Sequence, residues 1–551
     1  MDVTTRSALG KNEFKVIPPQ CRRLTTGNKK AMGRYNDKLE DQMEEHRMQQ
    51  RLNICTQALQ LDPTSEVHRL EMERIDKQFI AMQIHSEKKC RTIYRPDLPF
   101  SEPIKVWDFR RKVYQGLLRR LNGKCKSPSN ILRKATAAGI DQPKKLTKLQ
   151  CNDGIRYCKQ RWLELKKTAK GLRRVHLRNC LIKADDLKDI EKVKAIKQTI
   201  NKEESKKMWY VINKATDDPR LGATSRVQKV VDGVTMELTE KEAMNTEIQQ
   251  VTEKRFLLAH SANVTGTSLV EKLGYLSDTE FAEEFLSGNT PVPDDVDDTT
   301  TMVLNEIARL GLEMRTSKGT EFVITAAQFK WYWRQVKERT SSSVSGVHFG
   351  HYKAAIQSDK VSAFLSQKIT VIARCGCPPS RWGVGLQVML EKIAGVALVN
   401  KLRAILLMEG DYNYFNKFAF GYEAMNALYD IGYVPDDQYS QKQSTAEDAK
   451  MDGKLTMDIS RQLRQPMAST SADAANCYDR INHIIMSLLL IAITGWVGAV
   501  TALLYPIQIM KFFQRTARGD SDTFMGGPER LAMGLLLLQG LCQGNGAAPA
   551  C

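Results

Sequence analysis

None of the twelve cysteines stands in a Cys-x-x-Cys pair, and none alternates with histidine at zinc-finger spacing. Cys151 and Cys158 are too far apart and Cys375-Gly376-Cys377 too close, so a zinc knuckle or ribbon is excluded as the organising element. The cysteines read as reduced thiols of an intracellular protein, cytoplasmic or nuclear. The opening MDVTTRSALGKNEF lacks the apolar core of a secretory signal, so export is not expected. There is no internal repeat, and no His-Asp pattern of the kind a target-cleaving endonuclease uses. Aromatics make up only 7% of the chain, yet 42% apolar and 26% charged residues exclude a chain that is disordered or fibrous throughout.

What the sequence has in excess is positive charge. Its 551 residues carry a formal +19, with 82 Lys and Arg against 63 Asp and Glu. Residues 101–200 alone hold 27 basic and 9 acidic residues, a net of +18, whereas residues 201–300 are acidic at −8. This uneven distribution divides the chain. Residues 1–100 read as a basic tail followed by exposed helices, and 101–215 as a basic helical region that binds nucleic acid. Residues 216–319 read as a helical connector ending in the acidic linker Pro291 to Asp298, and 320–551 as an α+β domain. In the basic region Trp162, Leu163 and Leu165 stand among Arg161, Lys166, Lys167, Lys170, Arg173 and Arg174. Such a face attracts phosphates, although a solvated helical face has the same composition.

Two segments suggest chemistry. Ser471-Ala472-Asp473-Ala474-Ala475-Asn476-Cys477-Tyr478-Asp479-Arg480 leads into a helical period of Ile481, Ile484, Ile485, Leu488 and Leu489. Asp473 therefore falls at a strand-to-helix junction, a position suited to a metal ligand and equally to a helix N-cap. Gln539-Gly540-Leu541-Cys542-Gln543-Gly544, continuing to Pro549, has the glycines for close backbone approach to a flat partner, and it also reads as a plain turn.

Taken together and in this order, the two segments resemble the reverse transcriptase domain of non-long-terminal-repeat retrotransposons. Asp473 to Asp479 is similar to the first palm motif, and Gly540-x-x-Gln543-Gly544 with Pro549 to the template-contacting motif. Upstream, Lys392-x-x-Gly395 and Arg403-x-Ile405 resemble the fingers region. Ser341 to Lys353 resembles the segment that opens the fingers, with His348 where many relatives have Asp, and Gln438 to Ala446 the stretch before the palm. The resemblance spans about residues 320–551. It implies a right-hand polymerase fingers and partial palm without a thumb, preceded by a mostly helical basic region.

The implied reaction is RNA-directed DNA synthesis from an RNA template, a DNA primer and deoxynucleotide triphosphates, with two Mg2+ ions. Asp473 and the Ala474 carbonyl would hold metal. Lys392 and Arg403 would pair with triphosphate oxygens, Tyr478 would lie against the sugar, and Gln543 and Gly544 would fix the template. Cys551 comes two residues after Pro549, ahead of an aromatic-x-Asp-Asp hairpin, so the expectation is a fragment of a longer protein or a truncated copy. A catalytically inactive nucleic-acid-binding remnant is the alternative. The uncharged run Ile484 to Met510, 27 residues, also meets the length of a membrane span, which makes a membrane-associated basic protein a further alternative. Its position directly after the first palm motif favours a core helix, with no membrane partner.

Overall fold

The helices begin and end where the side chains dictate. Asn28 accepts the Ala31 N–H, Ser358 accepts that of Val361, and Thr325 forms a reciprocal capping box with Gln328. The structure, a computed structural model, describes residues 24–90, 101–123, 127–215, 223–317, 321–338, 344–435, 438–439, 444–470, 477–541, 545 and 547.

In chain order, α1 (Lys29–Glu45), α2 (Met48–Leu61) and α3 (Glu66–Lys89) are followed by five helices of the basic region: α4 (Glu102–Leu121), α5 (Pro128–Ala137), α6 (Lys148–Lys167), α7 (Ala169–Asp186) and α8 (Ile190–Ala215). A hairpin, β1 (Val227–Val231) and β2 (Val234–Leu238), turns on Asp232 and Gly233, both at positive φ as such a two-residue turn requires. Next come α9 (Lys241–Phe256), α10 (Leu269–Leu273), α11 (Glu280–Leu286), α12 (Asp298–Ser317), α13 (Ala326–Gln335), α14 (Phe349–Ala355) and α15 (Asp359–Cys375). After these, β3 (Val384–Glu391) and β4 (Leu402–Leu407) precede α16 (Gly410–Phe418), α17 (Met425–Asp430), α18 (Ala446–Gln462), α19 (His483–Thr494) and α20 (Val497–Gln508), and β5 (Lys511–Thr516) and β6 (Gly519–Gly526) follow. The four strands form one sheet in the order β4-β3-β5-β6, antiparallel except for the parallel pair β3 and β5. The class is therefore α+β, as the sequence suggested.

The chain divides into two units, one of Ile93–Asp217 and one of Met1–Thr92 with Asp218–Cys551. In the first, Val113 and Leu117 of α4 pack with Ala135, Ala138, Ile140 and Cys151 in a small core. Gly154 lies so close to the Tyr114 ring that a Cβ would come within 2.6 Å of it, so this helix pairing needs glycine. In the second, one large core runs from the N-terminal helices to α20.

Several expectations are corrected. The exposed helices expected within residues 1–100 are α1, α2 and α3, and they are not merely exposed. Met32, Tyr35, Leu39, Leu52, Ile75 and Phe79 are buried in the same core as Phe364, Tyr412 and Leu503. Many of the Glu, Gln and Arg residues that made these stretches look solvent-exposed occupy the outer faces, while Gln83 and Glu87 are themselves buried. Part of the supposed tail is also structured, because α1 starts at Lys29 and Leu24 is buried. Residues on both sides of the acidic linker, Phe285 and Leu286 before it and Leu304 and Ile307 after it, share that core, so the linker separates no units.

The apolar run is not one helix. Gly495, at φ 68°, ends α19, and α20 restarts at Val497, giving two helices of 12 residues each. Among the described residues no helix is long and apolar enough to cross a membrane. α19 is buried nearly all round, which the expected one-sided stripe did not anticipate: Ile485 and Leu489 of that stripe are half-buried, while Met486, Leu490 and Ile493 off it are buried.

Candidate active site

Asn482 caps α19, its carbonyl oxygen accepting the Ile484 N–H at 2.9 Å, and thereby fixes where the strip before the helix leaves. That strip, residues 477–483, lies antiparallel to residues 538–541. His483 N donates to Leu538 O at 2.9 Å, Gly540 N to Ile481 O at 2.8 Å and Leu541 N to Tyr478 O at 2.8 Å, and Asn482 pairs with Gln539 in a bridge. The His483 Nε2 adds a bond to Gly540 O at 2.9 Å. Two segments about 60 residues apart in sequence are thus hydrogen-bonded side by side.

Asp479 lies between them. Its Oδ2 accepts from Arg255 at the end of α9, 3.1 Å away, and its backbone oxygen accepts from Gln539 Nε2 at 3.0 Å. The same Nε2 donates to Arg255 O at 2.6 Å. Burial raises the Asp479 pKa above the usual carboxylate value, and the Arg255 and Lys392 charges pull against that rise. Lys392, exposed in the turn after β3, is thus electrostatically coupled to the strip that follows the expected metal ligand. Arg403 is exposed on β4 opposite Leu390. Tyr478 is 40% exposed, with its carbonyl tied to Leu541.

Of the site residues expected from the sequence, Tyr478 directly precedes Asp479 in the chain, the Lys392 charge acts to lower the Asp479 pKa, and Arg403 stands on β4. Asp473, Ala474, Gln543 and Gly544 lie outside the described residues. Arg255, Phe256 and Gln539 were missed. Gln539 sits inside a segment already singled out. Arg255 lies 224 residues before its carboxylate, in a helix with no motif of its own, and spacing offers no signal for it.

A second charged cluster is deeply buried. Arg381 donates to Asp76 at 2.6 and 3.0 Å, to Glu409 at 2.8 Å and to Asp411, while Lys368 pairs with Asp76. Burial alone would raise the Asp76 pKa, but Arg381 and Lys368 hold it well below the carboxylate range. Glu409 also accepts from the N–H groups of Val344 and Ser345 at 3.1 and 2.9 Å. Every charge here faces an opposite one, which marks a structural clasp joining α3, α15 and the start of α16.

A third cluster, Glu87 with His348 and His351, is the one group of three or more possible metal ligands found among the described residues. Two imidazoles and one carboxylate are not a Mg2+ set, which calls for oxygen ligands. The His348 Nδ1 accepts the Gly350 N–H at 3.0 Å, so its proton is on Nε2, which donates to Glu87 at 3.0 Å. His348 thus serves as an N-cap for α14.

A cavity of about 1020 Å³ lies between α3 and the face of the sheet bearing Val384, Leu386 and Phe513; Val344 of the Ser341–Lys353 segment lines it, and Lys392, Arg403 and Tyr478 do not. Compared with models of known protein families and with the curated proteins, the chain matches none.

Proposed function

We propose that the chain is a nucleic-acid polymerase of reverse transcriptase type. In this reading Asp218–Cys551 carries the fingers and part of the palm, and the unit Ile93–Asp217 grips RNA. The observation that carries the reading is the pairing of residues 477–483 with 538–541, because the resemblance demands proximity of these segments and the spacing in sequence does not.

The reaction would be attack of a primer 3′-hydroxyl on the α-phosphate of a deoxynucleotide, with pyrophosphate leaving. Lys392 and Arg403 neutralise triphosphate oxygens, Arg offering two parallel donors and Lys one mobile charge. Tyr478 lies against the sugar and disfavours a 2′-hydroxyl, while Gln543 and Gly544 hold the templating base. Bound Mg2+ would supply charge neutralisation at the reacting phosphate, with Asp473 and the Ala474 carbonyl as its protein ligands.

Charge supports the RNA half of the reading. The unit Ile93–Asp217 holds 32 basic and 13 acidic residues, a net of +19, and the remaining residues hold 50 of each. The whole formal charge therefore falls in one unit, where each phosphate neutralised releases counterions. The same observation fits an inactive nucleic-acid-binding remnant, so the test must address the nucleotide.

The experiment is titration of a fluorescent deoxynucleotide triphosphate into the full chain with Mg2+, with RNA affinity measured alongside. Asp473→Asn is expected to weaken Mg2+-dependent nucleotide binding and leave RNA binding intact. RNA binding with no nucleotide binding by the unsubstituted chain would establish the remnant instead.

A further inference from the structure

Helix α9 lies in the stretch that the sequence offered only as a connector, yet its last two residues touch both segments of the candidate site. Arg255 binds the Asp479 carboxylate at 3.1 Å, and its carbonyl accepts the Gln539 amide at 2.6 Å. Phe256 fills the space beside Gly540, where a Cβ would fall 2.5 Å from the Phe256 ring and 3.2 Å from the Asp479 Cα. Gly540 is at φ 89°, so glycine is required there twice over, by backbone conformation and by space. The Phe256 ring also stacks on Phe512 of β5, with centroids 5.5 Å apart, which anchors the dipeptide to the sheet.

Arg255 and Asp479 are both largely buried, with side chains 15% and 18% exposed. A pair in that setting is directional and weakly screened, so it holds one geometry better than a surface pair does. Asp479 follows Tyr478 directly, and Gln539 comes four residues before Gln543 in the sequence. A shift at Arg255 therefore moves both strips.

We infer that Arg255 is a positioning residue of the nucleotide site, holding through Asp479 and Gln539 the strip that bears the sugar-facing Tyr478 against residues 538–541. This inference rests on the polymerase reading. Arg255 touches no reacting atom, and its role is the relative placement of two strips.

The test uses the full chain with Mg2+ on an RNA template annealed to a DNA primer, and measures affinity for a deoxynucleotide triphosphate and for the matching ribonucleotide. A wild-type chain that binds neither removes the polymerase reading itself. Where the wild type binds, Arg255→Ala is expected to weaken deoxynucleotide affinity on the order of tenfold, the loss that one charge-assisted hydrogen bond carries. The preference over the ribonucleotide should narrow, because Tyr478 is no longer held, and RNA affinity should be unchanged. Arg255→Lys should recover part of the loss, and Arg255→Asp combined with Asp479→Arg most of it. Wild-type nucleotide affinity in a variant with wild-type melting temperature overturns the inference. So does an equal fall for both sugars that tracks melting temperature across all the variants, since that is the signature of a fold residue alone.

Discussion

His483 is completely buried at the first turn of α19, with Nε2 donating to Gly540 O and Nδ1 without a hydrogen-bond partner. Burial pushes its pKa down to about 4, the bond to Gly540 opposing this in part. The folded imidazole stays neutral where the unfolded one, near 6.5, takes up a proton. Its stabilising contribution is therefore present above pH 6.5 and is lost as pH falls toward 4, by about 3 kcal/mol from the size of that shift. Unfolding free energy, measured by denaturant at several pH values, should fall through this window in the wild type and much less in His483→Gln. Equal slopes in the two proteins would contradict the assignment. Glu87 and Asp76 act in a separate range. Both are held well below the usual carboxylate pKa, so their contributions disappear only below ordinary carboxylate values. At this scale Lys392 and Tyr478 were offered by the resemblance of short motifs, whereas Arg255 depends on a pairing across 224 residues that no local pattern records.

The elements are held together by charges that a sequence reading assigns to surfaces. Asp76 on α3 and Lys368 on α15 look like ordinary members of charged helices, yet both are buried and joined through Arg381 to Asp411. Arg381→Met leaves three buried carboxylates facing Lys368 alone, and removal of one partner of such a group costs about 3–5 kcal/mol. A large drop in melting temperature is expected, measured by circular dichroism, and a drop of only a degree or two would contradict the clasp. Periodicity revealed that residues 35–87 are helical, but not that their Met, Leu and Phe faces enter the main core, since amphipathic pattern alone does not name the partner. The apolar run was legible as buried, with Thr494-Gly495 as an interruption, and its division there follows from the left-handed conformation of Gly495.

For the molecule as a whole, charge and chemistry separate. The net +19 belongs to Ile93–Asp217, and the part carrying the candidate site is neutral by count. RNA affinity should accordingly fall steeply with salt, and removal of residues 93–217 should flatten that dependence. An unchanged slope would place the RNA contacts on the other unit. The α+β class and the basic region were legible from composition and pattern, whereas the incorporation of the N-terminal helices into the same unit as the four-stranded sheet was not, because it rests on long-range packing.

If the chain is a template-directed polymerase, the paired strips 477–483 and 538–541 frame a site for an incoming nucleotide chosen by a template. The most direct measurement is the affinity of the full chain, with Mg2+ on an RNA template annealed to a DNA primer, for the deoxynucleotide triphosphate complementary to the first unpaired template base and for a mismatched one. The account predicts tighter binding of the complementary nucleotide and loss of that preference in Asp473→Asn. Equal affinity for both nucleotides, or a preference untouched by Asp473→Asn, would contradict it.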